Sequence, residues 1–286
     1  MTYSWSSLTL LALCIALTIA VVSGRVMKRH ASFDAYLRYT WIFFLSFTFA
    51  EFVSFPVGLW VLALLSFWAL REYFSLIDIR LQDRLGILGA YLSIPFMTYF
   101  IQIDWYGMFI ISIPVYAFLA IPLFITLAGG EARGTVFSVG AIDFGLFLFV
   151  YCLGHIGYLL LYSTWMAAML ILAVMLSDAA AGIVRIRLKP SLVRVLGTYC
   201  LSLPFTVLLS WLLSPWTGIP VKHALILGAL IPALVIMGRQ TIDVIKVDMG
   251  IIEEELLPGR GQILDSMKSI FYTAPVVFHY IRYFLK

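Results

Sequence analysis

Charged side chains are scarce in this chain. Asp, Glu, Lys and Arg make up 12% of the 286 residues, hydrophobic residues make up 63%, and the mean hydropathy is +1.01. Because a soluble domain carries about twice that share of charge, a soluble globular protein is excluded. The apolar runs also lack the polar and apolar alternation of membrane β-strands. The composition therefore predicts an all-α, polytopic transmembrane protein, whose backbone amides are satisfied within each helix.

Cysteine is scarce as well. Cys14, Cys152 and Cys200 lie far apart in apolar runs, so neither a disulfide framework nor a cysteine metal site is predicted, and we interpret all three as packing residues. The formal charge of +4 is explained by loops that flank membrane helices, so we expect no nucleic-acid partner. The first apolar run is followed by basic residues rather than by a cleavage site, which predicts a retained helix.

Nine apolar runs predict nine or ten membrane helices. They span 5–23, 39–71, 85–101, 105–128, 135–154, 157–177, 193–213, 221–238 and 270–285. The run over 39–71 would extend about 50 Å as one helix, which exceeds a bilayer core. Glu51 and Pro56 interrupt its middle, which favours two short helices meeting as a hairpin. One strongly tilted helix is the alternative.

Basic residues in short connections indicate the cytoplasmic side. The connections 71–84 and 185–194 are basic, and the same alternation puts the polar segment 239–268 on that side. We therefore expect an integral, multi-pass protein of the bacterial inner membrane with a polar cleft facing the cytoplasm. We divide the chain into N-terminal helices, 1–134, and a C-terminal region, 135–286, because the second part carries most of the membrane-embedded ionisable residues.

Four ionisable residues interrupt the apolar runs. Each is a functional candidate, because a charge in lipid is costly without a partner or a watery cavity: Glu51, Asp143, His155 and Asp178. Structural alternatives are an interfacial position for Glu51 and interhelical hydrogen bonds for Asp143 and His155. Asp178 ends an apolar run ahead of a basic cluster, so it can hold a divalent cation while the cluster holds phosphates. An ordinary helix end before a positive loop remains the alternative.

Polar residues are concentrated before the last apolar run. Arg239, Asp243 and Lys246 are four and three residues apart, so they share one face of a helix. The segment 257–261 contains Pro and two Gly, which predicts a tight loop that brings backbone amides and an Arg side chain to a phosphate. Asp265 follows this loop.

The order of these segments resembles the phosphatidate cytidylyltransferase family, the CDP-diacylglycerol synthases. Family members end with stretches such as GDLxESxxKRxxGIKD and LLPGHGGxLDRxDS before an apolar helix. This chain reads GRQTIDVIKVDMGIIE and then ELLPGRGQILDSMKS before its last apolar run. The segment 177–182 is similar to the family's ADSxAY, and 191–194 resembles a family stretch of serine, proline and lysine-threonine.

The resemblance implies transfer of CMP from CTP to phosphatidate, or to a related lipid phosphate, with release of pyrophosphate, a step typical of phospholipid biosynthesis. It implies Mg²⁺ at Asp178, Asp243 and Asp265, and catalytic roles for Lys246 and Asp265. It also implies a set of substrate-binding residues: Ser191, Arg194, Gly259, Arg260 and Gly261.

Several motif positions depart from the family pattern. Arg239 and Ile242 replace the acids of GDLxE, and Lys268 stands at the second Asp of DRxDS. These losses favour an alternative function, in which the chain is a non-catalytic homologue that binds lipid or assembles a membrane complex. The complex could be a homodimer or could contain another membrane protein. A transporter is a third alternative, although only one helix break is visible. Convergence of the three aspartates would favour the enzyme, whereas Lys268–Asp265 and Arg239–Asp243 ion pairs would favour the non-catalytic homologue.

Overall fold

The structure, a computed structural model, describes residues 4–27, 31–129, 131–187, 191–248 and 262–286. These ranges contain twelve α-helices and no strand, which confirms the all-α prediction. The first six are α1 Trp5–Met27, α2 Ala31–Phe52, α3 Phe55–Leu76, α4 Arg84–Gln102, α5 Tyr106–Ile111 and α6 Phe118–Ala128. The second six are α7 Thr135–Leu146, α8 Leu153–Tyr162, α9 Thr164–Arg187, α10 Ser191–Thr217, α11 Val221–Asp248 and α12 Gln262–Leu285.

Two pairs of these helices are continuous rods. A π-helical turn at Ser112–Ala117 joins α5 to α6, and another at Phe147–Cys152 joins α7 to α8. Among the described residues, eight rods are long and apolar enough to cross a membrane, and α2 and α12 are outside that set. The chain is therefore an integral, multi-pass membrane protein, as the composition predicted.

The run over 39–71 forms the predicted hairpin. Helix α2 ends at Phe52 and α3 begins at Phe55, with Ser54 extended between them. Pro56 lies in the first turn of α3, where its missing N–H costs no helical hydrogen bond. The two helices pack closely at Gly58, because a Cβ there would lie 2.5 Å from the backbone oxygen of Ser46. The single tilted helix is thereby excluded.

Helices α2 and α9 run in opposite directions. Tyr36 near the start of α2 donates to Asp178 near the end of α9, over 3.1 Å. At the other end of the bundle, Glu51 near the end of α2 accepts a hydrogen bond from Thr164 at the start of α9, over 2.9 Å. Glu51 also accepts from Ser7, over 2.7 Å, so it ties three helix ends together. Its interfacial interpretation fits these contacts.

The basic segments that connect the helices lie at the same end of the bundle. The backbone N–H of Ile263, in the first turn of α12, donates to Glu72 near the end of α3 over 2.9 Å. This contact brings the end of α3 and the start of α12 to the end of the bundle that holds Asp178. The connection 71–84, the end of α9 with Arg185 and the start of α10 with Arg194 therefore lie at one end, which we call the charged end.

Helix α12 lies in the middle of the bundle and contacts α2, α3, α8, α9 and α11. Its apolar side chains are fully buried at Phe278 and Ile281. Close packing of this kind holds helices together in lipid, where burial from water supplies no driving force. Cys14 and Cys152 are buried as predicted, whereas Cys200 is exposed on α10, so the packing interpretation is wrong for that cysteine.

Candidate active site

Helices α11 and α12 approach each other closely at the charged end. A Cβ on Gly238 would lie 2.7 Å from the backbone oxygen of Lys268, so only glycine fits at this crossing. The approach brings one face of α11, with Arg239, Asp243 and Lys246, against the first turns of α12. Side chains three and four residues apart on a helix share a face, and α11 shows that predicted face.

Four charged side chains form a network between α11 and α12. The Nζ of Lys268 donates to Asp243 Oδ1 over 2.6 Å and to Asp265 Oδ1 over 3.2 Å. The Nζ of Lys246 donates to the same oxygen of Asp265 over 2.7 Å. Lys246 and Lys268 are both buried, so their ammonium groups are held in place by these carboxylates. We call these four residues the lysine–aspartate network.

Asp178 belongs to a separate cluster. Its Oδ1 accepts from Arg239 Nη1 over 2.7 Å and from Ser269 Oγ over 2.6 Å. Its Oδ2 accepts from Tyr36 over 3.1 Å. The Asp178 side chain is only 8% exposed, so three donors from three helices stabilise a nearly buried carboxylate. The Arg239–Asp243 ion pair considered above is not formed, because the guanidinium of Arg239 pairs with Asp178 on α9 instead.

The Asp265 carboxyl lies in the first turn of α12, outside the eight membrane-length rods. Burial by itself would raise its pKa, but the ammonium groups of Lys268 and Lys246 outweigh burial and hold the pKa below its ordinary value. Asp265 is therefore ionised at neutral pH.

A resident divalent ion does not fit this donor set. Each of the three aspartates already accepts from a cationic side chain, so their charges are balanced one for one. Across the described part of the chain, no three His, Cys, Asp or Glu side chains are grouped to hold a metal ion. Mg²⁺ prefers several oxygen ligands without a competing cation. Asp243 and Asp265 share a network, but Asp178 does not join them.

A cavity of about 560 Å³ opens between α9, α10 and α11. Arg185, Arg194 and Arg239 line it, and Asp243 reaches it from the lysine–aspartate network. The Nε of Arg194 is buried and has no hydrogen-bond partner among the described residues. An unpaired guanidinium donor in a cavity with three arginines is suited to a phosphate or another anion. We call this cavity the arginine pocket.

Comparison with known proteins identifies the family. The model of the cytidylyltransferase family matches residues 36–284. The chain belongs to the cytidylyltransferase family. It is also 29% identical over 240 residues to the uncharacterized protein YnbB of Escherichia coli (strain K12), which covers 77% of this chain and 78% of that protein. No solved structure matches.

Membership of the cytidylyltransferase family supports a transferase that uses CTP, and it confirms the family resemblance of the motifs. The match begins at Tyr36, the α2 residue that donates to Asp178, and it extends almost to the end of α12. Every residue of the two charged clusters therefore lies within the matched region.

The remaining predicted residues of this cytidylyltransferase family member lie in different places. Gly259, Arg260 and Gly261 lie outside the described residues, and Ser191 begins α10 with its side chain also outside them. His155 is buried: its Nδ1 lies 2.8 Å from the Tyr151 carbonyl. Its ring contacts Phe278, about nine residues or 14 Å along α12 from Ser269.

Asp143 lies apart from the charged clusters as well. Both of its carboxylate oxygens are buried without a hydrogen-bond partner in the described ranges. The interhelical hydrogen bond considered for this residue is therefore not present among them. The contacts place neither Asp143 nor His155 beside the lysine–aspartate network.

Three residues of the site were not among the site residues predicted from the sequence. Tyr36 is separated from Asp178 by 142 positions and has no local signal. Ser269 occupies the last position of DSMKS, where the family motif also has serine, so that motif was a usable signal. Arg185 was recognised as part of a basic connection, but its place in the arginine pocket depends on how α9 and α10 pack.

Proposed function

We propose that this chain transfers CMP from CTP to phosphatidate, or to a related lipid phosphate, and releases pyrophosphate. The observation that carries the proposal is the arginine pocket, because it adjoins the Asp178–Arg239 ion pair at the charged end of a membrane protein of the cytidylyltransferase family. A pocket at the charged end can be reached by both proposed substrates. CTP would enter from water, and the lipid phosphate would enter from the bilayer.

The reaction forms one phosphorus–oxygen bond and breaks another. An oxygen of the lipid phosphate attacks the α-phosphorus of CTP, and pyrophosphate leaves from the opposite side. No covalent intermediate with the protein is needed, so catalysis depends on positioning the two phosphates and on neutralising their charge.

Side-chain cations provide that neutralisation in our proposal. Arg185 and Arg194 bind phosphate oxygens in the arginine pocket, where the buried Nε of Arg194 is an available donor. Lys246 and Lys268, held by Asp265, add positive charge between α11 and α12. The roles of Ser191, Gly259, Arg260 and Gly261 in binding substrate stay predictions.

We further propose that the charged end faces the cytoplasm of a bacterial inner membrane, where CTP is made. The gathering of both basic connections at this end supports that orientation, because positively charged loops remain in the cytoplasm. The division of the chain at residue 134 stays a prediction.

The second candidate is a non-catalytic homologue that binds an anionic lipid or assembles a membrane complex, either as a homodimer or with another protein. The pairing of all three aspartates with cations favours it, because a self-neutralised cleft is stable without substrate. It retains the arginine pocket but requires no turnover.

The deciding experiment measures pyrophosphate and a CMP-bearing lipid formed by the purified chain in mixed micelles of phosphatidate with CTP. Parallel reactions contain Mg²⁺ or EDTA, because the predicted need for Mg²⁺ is untested. Asp265→Asn is the test variant, since it removes the charge that holds both lysines.

Turnover by the wild type that falls at least tenfold in Asp265→Asn supports the transferase. A conventional family member serves as the positive control for the assay. If that enzyme is active and the folded wild-type chain is not, the transferase proposal is rejected and the non-catalytic homologue is favoured. Saturable binding of phosphatidate without turnover supports the second candidate directly.

A further inference from the structure

One ammonium group joins carboxylates from two helices. The Nζ of Lys268 lies 2.6 Å from Asp243 Oδ1 on α11 and 3.2 Å from Asp265 Oδ1 on α12. A single cation between two carboxylates of neighbouring helices is also the arrangement that a bridging divalent ion makes. The side chain of Lys268 is only 11% exposed, so its ammonium fills this position rather than extending into water.

A second ammonium group contacts Asp265. Lys246 Nζ lies 2.7 Å from the same Asp265 oxygen and is itself buried. Two carboxylates therefore face two ammonium groups. A divalent ion added to this network would bring two more positive charges close to both ammonium groups, which would repel it at short range.

Among the described residues, no third carboxylate joins Asp243 and Asp265. Asp178 accepts from Arg239, Ser269 and Tyr36, and its side chain is 8% exposed. Its oxygens are thus engaged by donors that fix it toward α2 and α11. Turning it toward Lys268 would break the ion pair with Arg239 and the hydrogen bonds from Ser269 and Tyr36.

We propose that the ammonium group of Lys268 takes the position that a divalent cation would hold between Asp243 and Asp265, so that this network binds no metal ion of its own. The inference goes beyond the proposed reaction, because it concerns cation binding in the absence of CTP and lipid. Its test therefore fails or succeeds independently of the transferase assay.

The test is a Mn²⁺ titration of the purified chain, stripped with EDTA and followed by electron paramagnetic resonance in detergent micelles. Lys268→Asp converts the blocking cation into a carboxylate three residues after Asp265, on the same helix face. We expect it to bind Mn²⁺ at least about tenfold more tightly than the wild type, because three carboxylates then converge.

Lys222→Asp is the matched control. It makes the same change of charge at an exposed residue at the start of α11, far from the charged end, and should leave Mn²⁺ affinity at the wild-type level. Adding Asp265→Asn to Lys268→Asp should abolish the gain, which would assign the new affinity to this network. Size-exclusion chromatography checks that each variant is folded.

Lys268→Met is the second variant, in case Lys268→Asp does not fold. It removes the ammonium without adding a ligand and should give a smaller gain in Mn²⁺ affinity. The proposal is overturned if the folded variants bind Mn²⁺ no better than Lys222→Asp. It is also overturned if the wild type already binds Mn²⁺ at Asp265 and loss of Lys268 weakens that binding.

Discussion

The guanidinium of Arg239 lies 2.7 Å from the carboxylate of Asp178, and it is the only cationic side chain in the described ranges that forms an ion pair with this residue. Arg239 is on α11 and Asp178 is on α9. The pair therefore joins two helices of the charged end, and Arg239 also lines the arginine pocket.

Arg239→Met should destabilise the protein by about 2–4 kcal/mol, because it leaves the nearly buried Asp178 carboxylate without its cation. The loss is smaller than for a fully buried pair, since the Arg239 side chain is partly exposed to solvent. Thermal unfolding in detergent micelles measures this loss. Adding Asp178→Asn should restore part of the stability, since the uncompensated charge is then gone. Equal stability of the wild type and Arg239→Met would contradict the pairing.

Gly238→Ala tests the close approach of α11 and α12. The added Cβ would lie 2.7 Å from the Lys268 backbone oxygen, which cannot rotate away as a side chain can. The helices must separate, so we expect a loss of stability of about 1–3 kcal/mol and a larger proportional loss of turnover. Thermal unfolding and the CTP assay measure the two effects.

The matched control for Gly238 is Gly140→Ala. A Cβ at Gly140 meets no atom within 4 Å, and this glycine lies on α7 away from both charged clusters. The control variant should retain wild-type activity and gain slight stability from the better helix propensity of alanine. Equal effects of the two substitutions would show that the interhelical contact is not responsible.

Arg194→Gln tests the arginine pocket. If Nε of Arg194 binds a substrate phosphate, its loss removes a charge-assisted hydrogen bond of about 1.5–3 kcal/mol, which raises the KM for CTP or for the lipid by about 10- to 100-fold. Steady-state kinetics with each substrate varied in turn identify which phosphate is bound.

Arg133→Gln is the control for that experiment. Arg133 is exposed in the turn before α7 and lies outside the arginine pocket, so the same loss of charge should leave both KM values unchanged. A similar rise in KM for both variants would indicate a general electrostatic effect rather than a phosphate site.

The sequence was sufficient to predict the helices and the polar face of α11. It was not sufficient to predict which side chains of other helices pair with that face. A period of 3.6 residues determines that Arg239, Asp243 and Lys246 share a face. Which carboxylate each cation meets depends on the register between helices, which Gly238 sets through its backbone contact. For this reason Arg239 and Asp243, which could have paired with each other, instead contact α9 and α12.

Interruptions of the apolar pattern were the most reliable local signals. Glu51 and Pro56 indicated the break between α2 and α3, because a charge and a missing N–H both disfavour a continuous membrane helix. Tyr36 had no such signal, since a tyrosine near a helix end is ordinary at a membrane interface. Its contact with Asp178 follows only from the antiparallel packing of α2 and α9.

Glu51→Gln separates structure from catalysis. Glu51 accepts from Ser7 and Thr164 at the end of the bundle opposite the charged clusters, 15 residues or about 22 Å along α2 from Tyr36. Loss of the charge should lower stability by about 1 kcal/mol, because both hydrogen bonds weaken at an exposed position, and turnover should not change. Ser7→Ala, which removes one donor and keeps the charge, should have a smaller effect. Turnover that falls in Glu51→Gln without a change in thermal unfolding would instead give Glu51 a part in the reaction.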